Sequence, residues 1–278
     1  MKRIVAGLLL LPLLTGCRPA VPADKELADR REVPVLMYHS ILRDPARAGK
    51  YILSPDVLEA DIVWLLQNGY ETVTARDLIA FVEGSGTLPD RPAILSFDDG
   101  YLNNLTYVLP LLEKYDCCAV ISVVGAYTQR YSEEPDPNPN YAYLSWDEVA
   151  ALDRSGRVEI GNHTYGMHGQ KGRPGSARRL SESAADYEAA FLDDVGRLQS
   201  ELSTHANIAP VTFAYPFGVI DPLSRQLLKE MGFAVSMTCT EHVSTVVRGD
   251  AESLWELGRS NRPSNISTDA FMARIFGV

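Results

Sequence analysis

Six short runs of apolar, largely β-branched residues recur along the chain and constrain its fold more than any other feature. Each run is apolar at nearly every position, which is typical of strands that are covered on both faces. Such strands belong to parallel sheets, because their crossover connections place helices on both sides. The runs are VPVLMYH (33–39), PAILSF (92–97), CCAVISVV (117–124), RVEIG (157–161), VTFAYP (211–216) and FAVSM (233–237).

The stretches between these runs carry the signals of amphipathic helices. A serine–proline pair at 54–55 and a capping-box pattern at 145–148 each open one, and apolar residues three or four apart run through 181–204. Segments 125–144 and 169–180 are predicted to be loops. Repeated strand-then-helix units predict a parallel α/β fold and favour a (β/α) barrel, although periodicity alone does not separate it from an open doubly wound sheet.

The N-terminal end has the features of a bacterial export signal. Lys2 and Arg3 precede an apolar run that is too short for a permanent membrane span. The sequence LTGC, which ends at Cys17, resembles the lipobox of bacterial lipoproteins. This resemblance implies that residues 1–16 are a signal peptide and that the Cys17 thiol is acylated. The protein would then be lipid-anchored at the extracytoplasmic face of the bacterial cell membrane. An ordinary secretion signal is the alternative.

The rest of the chain is predicted to be a tether followed by one domain. Residues 17–32 are mostly polar and form the lipidated tether, whereas residues 33–278 contain no internal repeat and no linker. Removal of residues 1–16, with Lys2 and Arg3, leaves 24 basic against 36 acidic residues. That balance argues against nucleic acid as a partner, because phosphate binding depends on clustered lysine and arginine.

Side chains suited to catalysis or metal binding follow three of the predicted strands. His39 ends the first strand, Asp98 and Asp99 follow the second, and His163 and His168 follow a later one. Functional groups of parallel α/β folds gather at the carboxyl ends of the strands. We therefore expect these side chains to lie at one mouth.

The histidine pair is the strongest metal signal in the sequence. His163 and His168 are five positions apart, a spacing that fits a loop and not one face of a helix. Two imidazoles and one carboxylate leave a coordination position open for water, which is the pattern of a catalytic zinc site. One of Asp98 and Asp99 could bind the metal while the other acts as a base. The alternatives are two unrelated surface histidines and a helix-capping role for either aspartate.

Three motifs, LSFDDG, NHTYGMH and FAYPFG, follow in this order over about 120 residues. Together they resemble the motifs of the polysaccharide deacetylase family (NodB-homology, carbohydrate esterase family 4). The histidine spacing and the early MYH segment are similar to those of the subgroup that contains biofilm poly-N-acetylglucosamine deacetylases. The resemblance implies a distorted (β/α) barrel, a divalent metal, commonly zinc, and removal of N-acetyl groups from amino-sugar polymers.

The resemblance also implies roles for individual residues. Asp98 would be the general base, and the metal ligands would be Asp99, His163 and His168. The third motif would form part of the substrate groove, with the Phe217 backbone N–H helping to hold the oxyanion. The groove residues of that motif are Tyr215, Pro216, Phe217 and Gly218.

The sequence departs from the family pattern at a position that normally serves the base. Ala214 stands where the family usually has an arginine that orients the catalytic aspartate. Arg259, in LWELGRSNRP, is a candidate substitute that would support Asp98. A surface or structural role for Arg259 is the alternative.

The late Leu-x-x-His motif that supplies the general acid in the family is missing downstream of FAYPFG. Leu36-Met37-Tyr38-His39 has this pattern at the N-terminal end instead. In a closed barrel the first and last strands are neighbours, so a circular permutation moves a terminal motif to the front without moving it in space. We therefore expect His39 to be the proton donor of a circularly permuted barrel.

These features predict a metal-dependent hydrolase that releases acetate from an N-acetylglucosamine-containing polysaccharide of the cell wall or of an exopolysaccharide. Two alternatives remain at this point. The first is a metal-dependent deacylase of a non-glycan amide. The second is a non-catalytic glycan-binding lipoprotein on the same fold, for which the missing arginine at Ala214 is the best support.

Overall fold

Strands and helices alternate along the part of the chain that the computed structural model describes, residues 29–169 and 171–277. The strands are β1 (Arg30–Val33), β2 (Val35–Tyr38), β3 (Ser40–Ile41), β4 (Ile52–Leu53), β5 (Glu71–Thr72), β6 (Pro92–Phe97), β7 (Ala119–Val123), β8 (Val158–Asn162), β9 (Thr212–Ala214), β10 (Val235–Met237), β11 (Ser244–Val247) and β12 (Ser260–Asn261). The α-helices are α1 (Pro55–Gln67), α2 (Ala75–Glu83), α3 (Leu109–Lys114), α4 (Gly125–Glu133), α5 (Trp146–Arg154), α6 (Ala184–Ala206), α7 (Ser224–Glu230) and α8 (Thr268–Phe276).

One curled parallel sheet organises the molecule. Its strand order is β10-β9-β8-β7-β6-β2-β12, and β5 adds to β6 outside this path. The two ends of the path approach each other through the residues that lead into β12. Leu257 donates its N–H to the Ser236 carbonyl of β10 (2.8 Å), and Arg262 donates its N–H to the Met37 carbonyl of β2 (3.0 Å). The predicted parallel α/β barrel is confirmed.

Strand β2, which directly precedes the predicted site residue His39, lies beside β12, the last strand in the chain. β2 pairs with β6 on one side and with β12 on the other, and His39 directly follows β2. The expected neighbour relation between the first and last strands is therefore present. A circular permutation relative to other chains stays a prediction.

Apolar burial explains why the runs form strands. Every residue of β2, β6 and β7 is buried, as expected for strands covered by helices on both faces. The helices begin where the sequence predicts. Ser54 accepts a hydrogen bond from the Val57 N–H at the start of α1, and Ser145 forms a capping box with Glu148 at the start of α5. Each such cap typically contributes about 1 kcal/mol to stability.

Two segments differ from the sequence prediction. Residues 30–32, predicted to be tether, belong to β1, which pairs antiparallel with β11. Part of 125–144, predicted to be loop, forms the helix α4. This helix buries few residues and so lacks an apolar stripe. Its first N–H groups instead donate to the carbonyl oxygens of Thr164 and Tyr165 in the loop after β8, a contact that no periodicity reveals.

A buried ion pair connects the closing segment to the first large helix. Arg262 donates from Nε to Asp61 Oδ2 of α1 (2.8 Å), and both side chains are buried. The Asp61 carboxylate also accepts hydrogen bonds from the Thr268 hydroxyl (2.6 Å) and the Tyr38 hydroxyl (3.2 Å). The group therefore links α1, β2 and the start of α8 inside the core.

Residues 1–28 lie outside the described part of the chain. The predicted signal peptide 1–16, the lipidation site Cys17 and most of the tether 17–32 fall there. Among the described helices, none has both the length and the apolar character that a membrane crossing requires.

Candidate active site

A cavity of about 1070 Å³ opens at the carboxyl ends of the strands. Loops that follow β2, β6, β8 and β9 each contribute a side chain to its wall, as the parallel arrangement predicts. Six of the predicted site residues meet there: His39, Asp98, Asp99, His163, His168 and Phe217.

Asp99, His163 and His168 form a candidate metal site. One ligand atom from each lies within 4.8 Å of the others. Asp99 Oδ1 is 3.1 Å from His168 Nε2 and 3.6 Å from His163 Nε2, yet this buried oxygen accepts no hydrogen bond from the described residues. A buried carboxylate oxygen facing two imidazole nitrogens fits a divalent cation, and the donor set of two histidines and one carboxylate fits zinc chemistry.

The protonation of His163 suits a metal ligand. Its Nδ1 lies 2.7 Å from the Ala214 carbonyl oxygen, which can only accept, so Nδ1 carries the hydrogen and Nε2 has a free lone pair. Burial lowers the pKa of His163 to about 4, since it disfavours the charged imidazolium. Near neutral pH the ring is therefore a neutral ligand. His168 Nδ1 has the Tyr127 hydroxyl as its neighbour at 3.4 Å.

Asp98 is paired with a buried arginine. Arg259 donates from Nη1 to Oδ1 (2.7 Å) and from Nη2 to Oδ2 (2.8 Å), so both carboxylate oxygens are engaged. Burial by itself would raise the pKa of Asp98, but the Arg259 guanidinium and the nearby His163 outweigh it and hold that pKa well below its usual range. Asp98 is consequently ionised throughout the physiological pH range.

Arg259 reaches Asp98 from the segment that closes the sheet. Its side chain is fully buried, and its other donors bond to the Thr238 carbonyl (2.9 Å) and the Ser96 hydroxyl (3.0 Å). The guanidinium is shielded from solvent and its donors face protein acceptors, which is the condition under which a buried arginine is tolerated. A surface position for Arg259 is therefore excluded, and Arg259 contacts Asp98 as expected of a substitute for an arginine at position 214. Its support of a catalytic base stays a prediction.

His39 lies on the wall of the same cavity. Its ring packs against Tyr51, with ring centroids 4.6 Å apart. Burial lowers the pKa of His39, although Asp98 and Asp99 act in the opposite direction. His39 Nδ1 is buried and has no hydrogen-bond partner among the described residues. The ring is thus held by packing beside the two aspartates.

Only one of the four predicted groove residues lines the cavity. The Phe217 ring is 41% exposed and lies 4.9 Å from the His168 ring. The Tyr215 side chain is fully buried among core aromatics, and its hydroxyl accepts a hydrogen bond from Ser224. The Tyr215 side chain therefore packs in the core and does not line the cavity, and the predicted part of Tyr215 in the substrate groove stays a prediction. Pro216 is buried as well, and a Cβ on Gly218 would meet Cys239 at 2.6 Å.

Backbone strain is concentrated at the mouth. Asp99 (φ 74°), Thr164 (φ 71°) and Phe217 (φ 59°) all adopt left-handed conformations although none is glycine. Each such residue costs about 1–3 kcal/mol, which the surrounding structure must offset, and such residues tend to cluster at functional sites. At Phe217 the conformation falls in the first turn of a short 3₁₀ helix, where backbone N–H groups have no intrahelical acceptor.

Sequence reasoning missed several residues around the cavity. Tyr101 and Tyr51 line it, and Tyr127 contacts His168 from α4. Tyrosine is common in loops, so none of these positions stands out without the fold. The helix α4 was itself predicted to be loop, which removed the one signal that could have placed Tyr127 near the metal site.

We expect Arg259→Ala to raise the pKa of Asp98 markedly, because burial raises this pKa and the positive charge that lowers it most is then absent. In the unaltered protein the pKa of Asp98 is lower in the folded state than in the unfolded state. The Asp98–Arg259 pair therefore stabilises the fold above the ordinary aspartate pKa, and this contribution is lost as the pH falls through the lowered pKa. Loss of the arginine should also cost about 3–5 kcal/mol of unfolding free energy, because it leaves a buried charge unpaired. A carboxyl ¹³C NMR titration of the metal-free protein measures the pKa.

Arg262→Ala is the matched control. It removes a second buried arginine, which binds Asp61 and does not contact Asp98. It should destabilise the fold and leave the Asp98 titration unchanged. Arg259→Lys keeps the charge and should raise the pKa less. An unchanged Asp98 titration in folded Arg259→Ala would contradict this account of the pair.

Known proteins share both the sequence pattern and the fold. The sequence profile described as polysaccharide deacetylase matches residues 85–236. The poly-beta-1,6-N-acetyl-D-glucosamine N-deacetylase of Escherichia coli (strain K12) is 25% identical over 222 residues, 73% of this chain and 33% of that protein. The protein of the same name from Staphylococcus aureus (strain MRSA252) is 23% identical over 195 residues, 70% of this chain and 63% of that protein. The chain thus spans about a third of the length of the Escherichia coli relative.

A solved structure supports the fold. The de-N-acetylase from Aggregatibacter actinomycetemcomitans superposes with a TM-score of 0.74 at 24% identity and covers 87% of this chain and 100% of that one. The matched profile segment contains Asp98 and the candidate metal ligands but ends before Arg259 and begins after His39. The profile nevertheless covers more than half of the sequence. By sequence motifs, by fold and by the residues gathered at its mouth, this chain belongs to the polysaccharide deacetylase family.

Proposed function

We propose that this chain is a metal-dependent hydrolase that removes N-acetyl groups from an N-acetylglucosamine-containing polysaccharide and releases acetate. The observation that carries the proposal is the meeting of a candidate metal triad, an ionised Asp98 held by Arg259, and His39 at one cavity. The names of the Escherichia coli and Staphylococcus aureus relatives favour a β-1,6-linked polymer as the substrate.

The size of the cavity supports a polymeric substrate. Its volume of about 1070 Å³ is at the upper limit of ordinary small-ligand pockets, which hold about 300–1000 Å³. The wall continues past the catalytic groups to Tyr51, Asn261 and Arg274. This leaves room for sugar units beyond the one whose acetamide reacts.

Asp99, His163 and His168 are the residues that would hold the cation, and Zn²⁺ is the ion that their chemistry favours. When bound there, a divalent metal supplies Lewis-acid polarisation of the acetamide carbonyl and lowers the pKa of water. The neutral state of His163 and the free lone pair on its Nε2 suit this role.

The other residues supply proton transfer and oxyanion binding. Asp98, kept ionised by Arg259, accepts the proton of the attacking water. The Phe217 N–H donates to the carbonyl oxygen as negative charge develops on it. The protonated form of His39, which burial makes a stronger acid by lowering its pKa, donates to the departing nitrogen, because an amide anion is a very poor leaving group. Each of these groups belongs to a different strand or loop, which the barrel brings together.

The alternatives are less well supported. A glycan-binding protein without catalysis was favoured by the missing arginine at Ala214, but Arg259 pairs with Asp98 from another segment. A deacylase of a non-glycan amide would use the same chemistry on a different substrate. Substrate identity must therefore be decided by a panel of amides.

Purified protein with bound metal should release acetate from a poly-β-1,6-N-acetylglucosamine oligomer, and chitooligosaccharides, peptidoglycan and a simple N-acetyl amide complete the panel. A chelator should abolish the release and Zn²⁺ should restore it, while the urea unfolding curve shows that the metal-free chain stays folded. Acetate release by enzymatic assay and metal content by mass spectrometry are the measurements. Metal without acetate from any glycan would favour the non-glycan deacylase, and glycan binding without metal would favour the non-catalytic protein.

His39→Ala should lower turnover about 10²–10⁴-fold, the usual contribution of a general acid or base, and should leave the zinc content unchanged. His205→Ala is the matched control, because His205 stacks on Trp146 at the end of α6 and does not line the catalytic cavity. It should keep full turnover. If His39→Ala releases acetate at the normal rate, His39 is not the proton donor.

We also propose that the protein is a lipoprotein, anchored through Cys17 at the extracytoplasmic face of the cell membrane. The LTGC motif supports this location. The chain enters the fold at β1, ahead of β2, whereas the cavity opens at the other ends of the parallel strands.

Cys17→Ser should move the protein from the membrane fraction to the soluble extracytoplasmic fraction in a bacterial host. Cys118→Ser, which changes a cysteine within the domain, should leave it in the membrane fraction. Fractionation followed by immunoblotting measures the distribution. Membrane retention of Cys17→Ser would show that the anchor is not at this thiol.

A further inference from the structure

Two candidate metal ligands lie on one short loop, and this raises the question of what holds the loop. His163 and His168 are five positions apart, so no helix fixes their relative placement. The loop must therefore be held through its backbone. The structure contains a carboxylate that does this and that the catalytic scheme does not use.

Asp194, in the middle of α6, accepts hydrogen bonds from two consecutive backbone N–H groups of the loop. Oδ1 accepts from the Tyr165 N–H (2.8 Å), and Oδ2 accepts from the Gly166 N–H (2.8 Å). Hydrogen bonds to an ionised acceptor are roughly twice as strong as neutral ones. Both oxygens of one carboxylate are thus bound to the two central residues of the four that lie between the ligands.

The opposite side of the loop is held by α4. Gly125 donates its N–H to the Thr164 carbonyl (3.1 Å), and Ala126 donates to the Tyr165 carbonyl (2.8 Å). A Cβ on Gly125 would lie only 2.4 Å from the Tyr165 ring, so the helix and the loop are in direct contact. The carbonyl groups of the loop are fixed by α4 and its N–H groups by Asp194.

The loop needs this support because its own conformation is unfavourable. Thr164, directly after the first ligand, has a φ of 71°. Its N–H donates to Asn162 Oδ1 (2.8 Å), and Asn162 in turn donates to the Val195 carbonyl of α6 (3.2 Å). Of two adjacent residues of α6, Asp194 therefore contacts the ligand loop directly, and Val195 contacts the end of β8 that leads into it.

We propose that Asp194 is a positioning residue that brings His163 and His168 together and so sets the affinity of the site for a divalent cation. The inference rests on the proposed function, because it takes the triad to be a metal site. Partners outside the ligand shell commonly contribute about 10–100-fold to metal affinity. Asp194 does not contact the ligand side chains; it acts through hydrogen bonds to the backbone between them.

Asp194→Asn tests this proposal. It keeps the volume of the side chain but removes the charge and leaves one carbonyl oxygen for two N–H donors. We expect the dissociation constant for Zn²⁺, measured on metal-free protein by competition with a chromophoric chelator, to rise about 10–100-fold. Asp193→Asn removes the same charge from the next, exposed position of α6 and should leave the constant unchanged.

The urea unfolding midpoint of each metal-free variant separates positioning from general stability. A purely structural role would lower the midpoint of Asp194→Asn and leave the Zn²⁺ affinity of the folded protein unchanged, which would overturn the proposal. An equal loss of affinity in Asp193→Asn would also overturn it, because charge alone would then be responsible. If the unaltered chain binds no Zn²⁺, the metal site and the proposed function fail together with it.

Discussion

Two buried arginines on the segment that closes the sheet determine how the rest of the molecule is arranged. Arg259 pairs with Asp98 after β6, and Arg262 pairs with Asp61 of α1. A buried arginine must satisfy its donors, because an unpaired buried charge costs several kcal/mol. Both guanidinium groups meet this condition through carboxylates and backbone carbonyls. The segment can therefore occupy one position only, between β10 and β2, and that position brings the N-terminal and C-terminal parts of the chain together.

The same constraint explains the electrostatics of the mouth. Asp98 and Asp99 are adjacent and buried, and two such carboxylates would repel each other in the absence of positive charge. Arg259 neutralises Asp98 directly, so the remaining negative charge at the site belongs to Asp99. A site with one carboxylate that no arginine neutralises, facing two imidazole nitrogens, is suited to a dication. The arginine thus assigns different roles to two neighbouring residues of the same type.

Much of this arrangement follows from the sequence, and the exceptions have physical reasons. The strand at 92–97, the caps at Ser54 and Ser145 and the meeting of the metal-binding residues depend on local patterns and on parallel topology. The helix α4 does not, because hydrogen bonds to a distant loop hold its first turn. The burial of the Tyr215 side chain could not be predicted either, because a motif gives the order of residues and not the direction of each side chain. Arg259 could be suggested from the gap at Ala214, but only the closed sheet identifies its partner.

The family profile and the structure divide the site differently. Residues 85–236 contain Asp98, the candidate metal ligands and Phe217, and they are sufficient to identify the family. They contain neither His39, which directly follows β2, nor Arg259, which directly precedes β12. Because β2 and β12 pair in parallel, these outer segments form one wall of the cavity despite their separation in the chain. The candidate metal ligands and Asp98 are therefore local in sequence, whereas His39 and Arg259 join them only after the first and last strands have paired. If the proposed roles of His39 and Arg259 hold, pairing of the ends of the domain is a condition for catalysis as well as for stability.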